Sequence, residues 1–139
     1  MSLPERLRMA LMGLTPDHPE ALEKLRPLYA HDIVFRDPIQ EVRGLDAFIA
    51  LNERLLRRMR RLDWHVSAVS GNDDEFFLEW HMSGAPKLGP AIEVSGVTRA
   101  RARDGLILDH RDYWDMGEMI ASAVPGGQRM LHLLRLPFA

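Results

Sequence analysis

The chain has 139 residues, 46% of them hydrophobic and 27% charged, with a formal net charge of −2 and no cysteine. That length and composition fit one globular domain with a single buried core, and the mildly acidic balance argues against a dedicated nucleic-acid binder, which is basic over its whole surface. Without cysteine there is no disulfide framework, zinc–thiolate site or thiol nucleophile. No stretch reaches the ~20 apolar residues of a membrane-spanning helix, and Met9 to Leu14 is too short for a signal-peptide core, so a cytoplasmic protein with no membrane contact is expected.

Pro4 to Leu14 reads as a helix with Ser2 as N-cap and Leu7, Leu11 and Leu14 on one face. Thr15-Pro16-Asp17 breaks it. A second helix is expected from Asp17 or His18 to about Tyr29, weakened at its end by Pro27. His31 to Asp37 is strand-like, with Ile33, Phe35 and Asp37 on one face, and Pro38 ends the pairing. Gly44 to Arg61 reads as the longest helix. Phe48, Leu51, Leu55, Leu56 and Met59 share its core side, while Arg54, Arg57, Arg58 and Arg61 form a solvated basic side.

Strands follow. Trp64 to Ser70 alternates weakly, and Gly71 to Asp74 is a turn. Phe76, Leu78, Trp80 and Met82 alternate against Glu75, Glu79 and His81. Ala85 to Pro90, with two prolines and a glycine, is expected to be a loop. Ile92, Val94, Gly96, Thr98, Ala100 and Ala102 then share the inner face of a strand ending at Arg103.

Gly105 to Asp115 is the stretch with the most chemistry. Strand alternation collects Leu106, Leu108, His110, Asp112 and Trp114 on one face and Ile107, Asp109, Arg111, Tyr113 and Asp115 on the other. An ionised carboxylate among apolar neighbours is costly unless it is paired or hydrogen-bonded, so Asp112 beside His110 marks either a pocket wall or a structural acid. Asp37 is a second acid on an apolar face, and its structural alternative is an Asx turn before proline. Met116 to Ala123 is a short helix. Gln128 to Phe138 is an apolar helix expected to cover a pocket mouth or a second subunit.

Helices, a strand, a helix and long antiparallel strands in this order define an α+β domain over residues 1–139, with its core at about 4–123. A strongly bent sheet wraps the helices and leaves a cone-shaped barrel. Phe35, Trp80, Met82, Ile92, Val94 and Trp114 would line the cone around a small hydrophobic molecule. Asp37 and Asp112 are the candidate acid and base, with His110 as orienting partner or alternative base. The histidines lack ligand spacing, so no metal site is expected, and the absence of a Gly-x-Ser-x-Gly elbow gives a serine hydrolase little support.

Val34-Phe35-Arg36-Asp37-Pro38, Gly44-Leu45-Asp46-Ala47-Phe48 and His110-Arg111-Asp112-Tyr113-Trp114-Asp115, in this order of elements, resemble the SnoaL-like branch of the nuclear transport factor 2-like superfamily from Pro4 to Ala123. The resemblance implies the cone-shaped α+β barrel and cofactor-independent isomerase, cyclase or hydrolase chemistry. Asp37 matches the aspartate base of ketosteroid isomerase, but no tyrosine precedes Tyr29 and no aspartate lies on the inner face of Ile92 to Ala102. Asp112 matches an acid of limonene epoxide hydrolase, whose arginine and second aspartate fall at Trp80 and Met82. The one-aspartate chemistry of SnoaL-type cyclases is the closest fit. The alternative is a non-catalytic binding or dimerisation module. A homodimer is expected through the outer sheet face, with Phe77 and Tyr113 as apolar anchors.

Overall fold

The computed structural model describes residues 1–138. Ser2 Oγ accepts from the Glu5 N–H at 3.3 Å and caps α1, Leu3–Met12, whose Leu3, Leu7, Ala10 and Leu11 are buried. The helix expected from Asp17 is instead two 3₁₀ turns, Pro19–Lys24 and Arg26–Leu28. Each has a proline in its first turn, and Pro27 lacks the N–H that a continuing α-helix would use, so the bonding stays short-range. Tyr29 is therefore not helical: it opens β1, Tyr29–Arg36.

After β2, Glu41–Arg43, comes α2, Leu45–Arg58, which buries Phe48, Ile49 and Leu56. The helix ends before the expected Arg61, because Met59 to Arg61 already belong to β3, Met59–Gly71. Met59 is 4% exposed; a single apolar residue at the junction satisfies helical and strand spacing alike, which hid the boundary. Strand β4, Glu75–Pro86, also takes two residues, Ala85 and Pro86, from the expected loop. Proline is tolerated there because it closes the strand.

Strands β5, Ile92–Arg103, and β6, Leu106–Trp114, are joined by Asp104 and Gly105 at φ 53° and 78°. Two positive φ values in a two-residue loop are the type I′ geometry that matches strand twist. A bulge follows at once: Ala102 pairs with Ile107, but Arg101 pairs with Asp109. The extra residue reverses the alternation, so Ile107 is fully buried and Leu106 is 38% exposed. That corrects the expected inner face at its first residues and leaves His110, Asp112 and Trp114 facing the helices.

The six strands form one curved, unclosed sheet in the order β2-β1-β6-β5-β4-β3. Pairing is antiparallel except between β1 and β6, which run parallel with Phe35 opposite His110. Helices α1 and α2 pack on β3, β4 and β1, and their buried leucines and aromatics merge with the inner sheet face into one core. Asp115 caps α3, Met116–Ala123, by accepting from the Glu118 N–H at 3.1 Å. α4, Gly127–Leu134, and a 3₁₀ turn, Leu136–Phe138, complete the described chain. Within one chain α4 packs on α3. Its Met130, Leu133 and Leu134, with Leu136 and Phe138, remain 61–89% exposed.

Candidate active site

The inner sheet face and α2 line a partly open cavity of about 230 Å³. Phe35, Trp80, Met82, Ile92, Val94 and Trp114 all line it, as do Asp37, His110 and Asp112. Leu51 and Leu55 of α2, Leu11 of α1 and Met119 of α3 supply further apolar wall.

Alternation along β6 and its register with β5 bring the polar groups together. Asp112 lies opposite Thr98 and His110 opposite Ala100. His110 Nε2 is 2.8 Å from Asp112 Oδ1, and the Thr98 hydroxyl donates to the same oxygen at 2.6 Å. Trp80 Nε1–H donates to Thr98 Oγ1 at 2.9 Å. At the other end the Tyr29 hydroxyl sits 2.8 Å from His110 Nδ1. Tyr29, Phe35 and Phe48 surround the imidazole at ring separations of 5.9, 5.1 and 5.7 Å.

One distribution of protons satisfies every member of this chain. Tyr29 is fully enclosed, and burial together with the negative charge of Asp112 pushes its phenol well above the ordinary tyrosine range. The hydroxyl therefore keeps its proton, and among the described residues His110 Nδ1 is its hydrogen-bond partner. Nδ1 must then accept, which leaves the imidazole proton on Nε2, aimed at Asp112. Oδ1 of Asp112 receives two donors, whereas Oδ2 has no hydrogen-bond partner among the described residues. The side chain is 14% exposed, against 4% for His110. One oxygen is anchored and the other is free.

Gly96 makes the arrangement fit. A Cβ there would lie 2.6 Å from the Trp80 ring and 2.7 Å from the Tyr113 carbonyl oxygen. Its absence lets the indole cross β5 and reach Thr98.

Asp37 is built differently. Its Oδ1 accepts from the Ile39 and Gln40 N–H groups at 2.9 and 3.0 Å, and its Oδ2 from Gln40 Nε2 at 3.1 Å. This is an Asx turn at the end of β1 that shapes part of the cavity wall. Both oxygens are engaged by their own loop.

Tyr29 and Thr98 were not among the residues singled out by sequence. Thr98 had a signal, a hydroxyl on an otherwise apolar inner face. Tyr29 had none that survived its assignment to a helix. Among the described residues no three His, Cys, Asp or Glu side chains converge as a metal site, and no helix is long and apolar enough to cross a membrane.

A curved six-stranded sheet packed with helices is the fold of nuclear transport factor 2-like proteins. The SnoaL-like domain profile matches residues 18–110; the chain belongs to that family. The match takes in Tyr29, Asp37, Trp80 and Thr98 and stops at His110, so Asp112 and Trp114 lie past it. An LEH-like epoxide hydrolase from M. tuberculosis is similar in structure at TM-score 0.72 and 16% identity, covering 97% of this chain and 96% of that one. A putative SnoaL-like polyketide cyclase from Jannaschia sp. gives TM-score 0.69 and 19% identity over 87% and 93%. A protein of ketosteroid isomerase-like fold from Catenulispora acidiphila, solved with trimethylamine, gives 0.72 and 19% over 88% and 93%. At such identities the likeness is one of fold. No curated protein is significantly similar.

Proposed function

We propose that this chain is a cofactor-independent acid/base protein acting on a small, mostly apolar molecule held in the cavity. The observation that carries it is the unequal use of the Asp112 oxygens: Oδ1 is fixed by His110 and Thr98, while Oδ2 has no partner among the described residues. Asp112 Oδ2 takes a proton from a carbon made acidic by a neighbouring ligand carbonyl and returns it to another atom. Isomerisation or ring closure of this kind balances without any further reagent. His110 is the orienting partner, held in its tautomer by Tyr29. The apolar wall of Phe35, Trp80, Met82, Ile92, Val94 and Trp114 excludes water from the exchange. The cavity lies below the ~300–1,000 Å³ of drug-sized sites, which favours one- or two-ring substrates over a four-ring steroid.

A second reading, ligand binding without turnover, is favoured by Asp37. Its oxygens are engaged in the Asx turn, so it does not present a free second acid. Incubation with cyclohexanone in heavy water separates the two. Exchange of the α-protons, followed by NMR, is expected to be faster with the protein than in buffer and to return to the buffer rate with Asp112→Asn. Binding with no faster exchange would leave the non-catalytic reading standing.

A further inference from the structure

The cavity carries charge of one sign. Its ionisable side chains are Asp37, His110 and Asp112, and among the described residues no lysine or arginine lines it. His110 accepts at Nδ1 and carries its one ring proton on Nε2, so it adds no charge. Neither aspartate pairs with an arginine or lysine among the described residues. Arg36 is taken up by Glu41 and Asp109, and Arg111 lies over the Tyr113 ring, bordering a separate cleft behind both acids. The two acids are also neighbours. β1 and β6 run parallel with Arg36 opposite Arg111, so the next residues, Asp37 and Asp112, stand together at one end of the cavity. Oδ2 of Asp112 has no partner, yet the unpartnered polar atoms sealed from open space are Trp64 Nε1 and Arg99 Nε, so Oδ2 keeps an open side. A carboxylate in apolar surroundings without a counter-charge is costly, and two side by side repel. Thr98 and His110 offset part of that cost as neutral donors but bring no positive charge. The aromatic faces of the wall attract cations as well, through the ring quadrupole.

We infer that the cavity takes its ligand as a cation: a small protonated amine with its ammonium group at the Asp37 and Asp112 end and its apolar body against Phe35, Trp80 and Trp114. This rests on the cavity being a ligand site, as proposed above, and narrows the substrate class to amines. Anions meet both acids and no cation, which excludes them by repulsion. Neutral molecules of the same shape leave the carboxylates uncompensated. In an amino ketone the carbon between the ammonium and the carbonyl carries the acidic proton. That proton passes to Asp112 Oδ2 and the C–H electron pair to the carbonyl oxygen, so the proton transfer proposed above is kept.

The test uses three probes that share one ring: cyclohexylammonium, cyclohexanol and cyclohexanecarboxylate. Each is titrated into the intact protein at neutral pH and fixed ionic strength, with binding read from the indole proton shifts of Trp80 and Trp114. Wild type is expected to bind the ammonium about tenfold more tightly than the alcohol, as one charge-assisted hydrogen bond gives, and the carboxylate more weakly than either. The preference is expected to be lost in Asp112→Asn and reduced in Asp37→Asn. Comparing ratios removes any general weakening of the site by the substitution. Equal binding of ammonium and alcohol in wild type would overturn the cation assignment and leave the ligand site standing. A preference unchanged in both variants would do the same. If none of the three, nor cyclohexanone, moves a cavity residue, the ligand-site reading falls and takes this inference with it. The order of the three probes needs only the wild-type protein, so a poorly folding variant does not remove the test.

Discussion

Asp112 performs two tasks with two oxygens. Its Oδ1 is part of the fold, the acceptor for Thr98 and His110. Asp112→Asn keeps an oxygen toward Thr98 and His110 but replaces a charged acceptor by a neutral one. A loss of about 1–3 kcal/mol at neutral pH is expected by urea denaturation, and unchanged stability would contradict the anchored oxygen. That loss does not argue against proton transfer, because the transferring atom is the other oxygen. Activity and stability must be read separately at this residue.

Tyr29→Phe tests the other end. In the wild type the phenol is held above its usual range, first by burial and then by Asp112, whereas a tyrosine in the unfolded chain ionises near 10. Below ~pH 10 both states keep the proton and the contribution is fully present. As pH rises beyond it the unfolded chain loses its proton first, so stability falls until the folded phenol also ionises. Wild type is expected to lose stability more steeply than Tyr29→Phe above about pH 10. Parallel pH curves for the two proteins would show that the phenol is not held as described. The same variant removes the donor to His110 Nδ1, and the Nδ1 nitrogen shift is then expected to move while Nε2 stays protonated toward Asp112.

At the scale of elements, the site depends on strands that bring widely separated residues into register. Gly96 is the point where two elements nearly touch, since the Trp80 ring lies where its Cβ would be. Gly96→Ala should force the indole off Thr98 and strain the strand. A cost of about 1–3 kcal/mol is expected, as for other overpacked cores, together with a changed near-ultraviolet tryptophan signal. A wild-type spectrum and stability would mean that β5 shifts without cost. The bulge after the Asp104-Gly105 turn is a similar device: one extra residue sets which side chains of β6 face inward.

For the whole molecule, the outer sheet face and the tail remain open in one chain. Phe77 and Tyr113 are 40% and 44% exposed on that face, and Arg111 lies over the Tyr113 ring at 4.6 Å. The apolar residues of α4 and the turn after it are more exposed still. We propose that a second copy covers both, as apolar anchors within a charged rim suggest. Light scattering at micromolar concentration is expected to give a dimer, with slow amide exchange in Gly127–Leu134; a monomer with rapid exchange throughout that helix would contradict both parts.

Local physics was enough for much of the fold. Ser2 before α1 and the alternation of β4 and β5 are short-range signals, and each forms its element as expected. The order of elements with the Asp37-Pro38 and His110 to Asp115 runs was sufficient for the family. The inward position of His110 and Asp112 was legible too, although the bulge changed the residues before them. Tertiary structure decided what those side chains do. Whether Asp37 points at a ligand or closes an Asx turn depends on where Gln40 comes to rest, and strand alternation is silent on that. Tyr29 was hidden because two prolines turned an expected helix into 3₁₀ turns and placed its hydroxyl against a histidine 81 residues away. The unequal oxygens of Asp112 and its place beside Asp37 exist only through pairing across strands, which periodicity along one strand cannot encode.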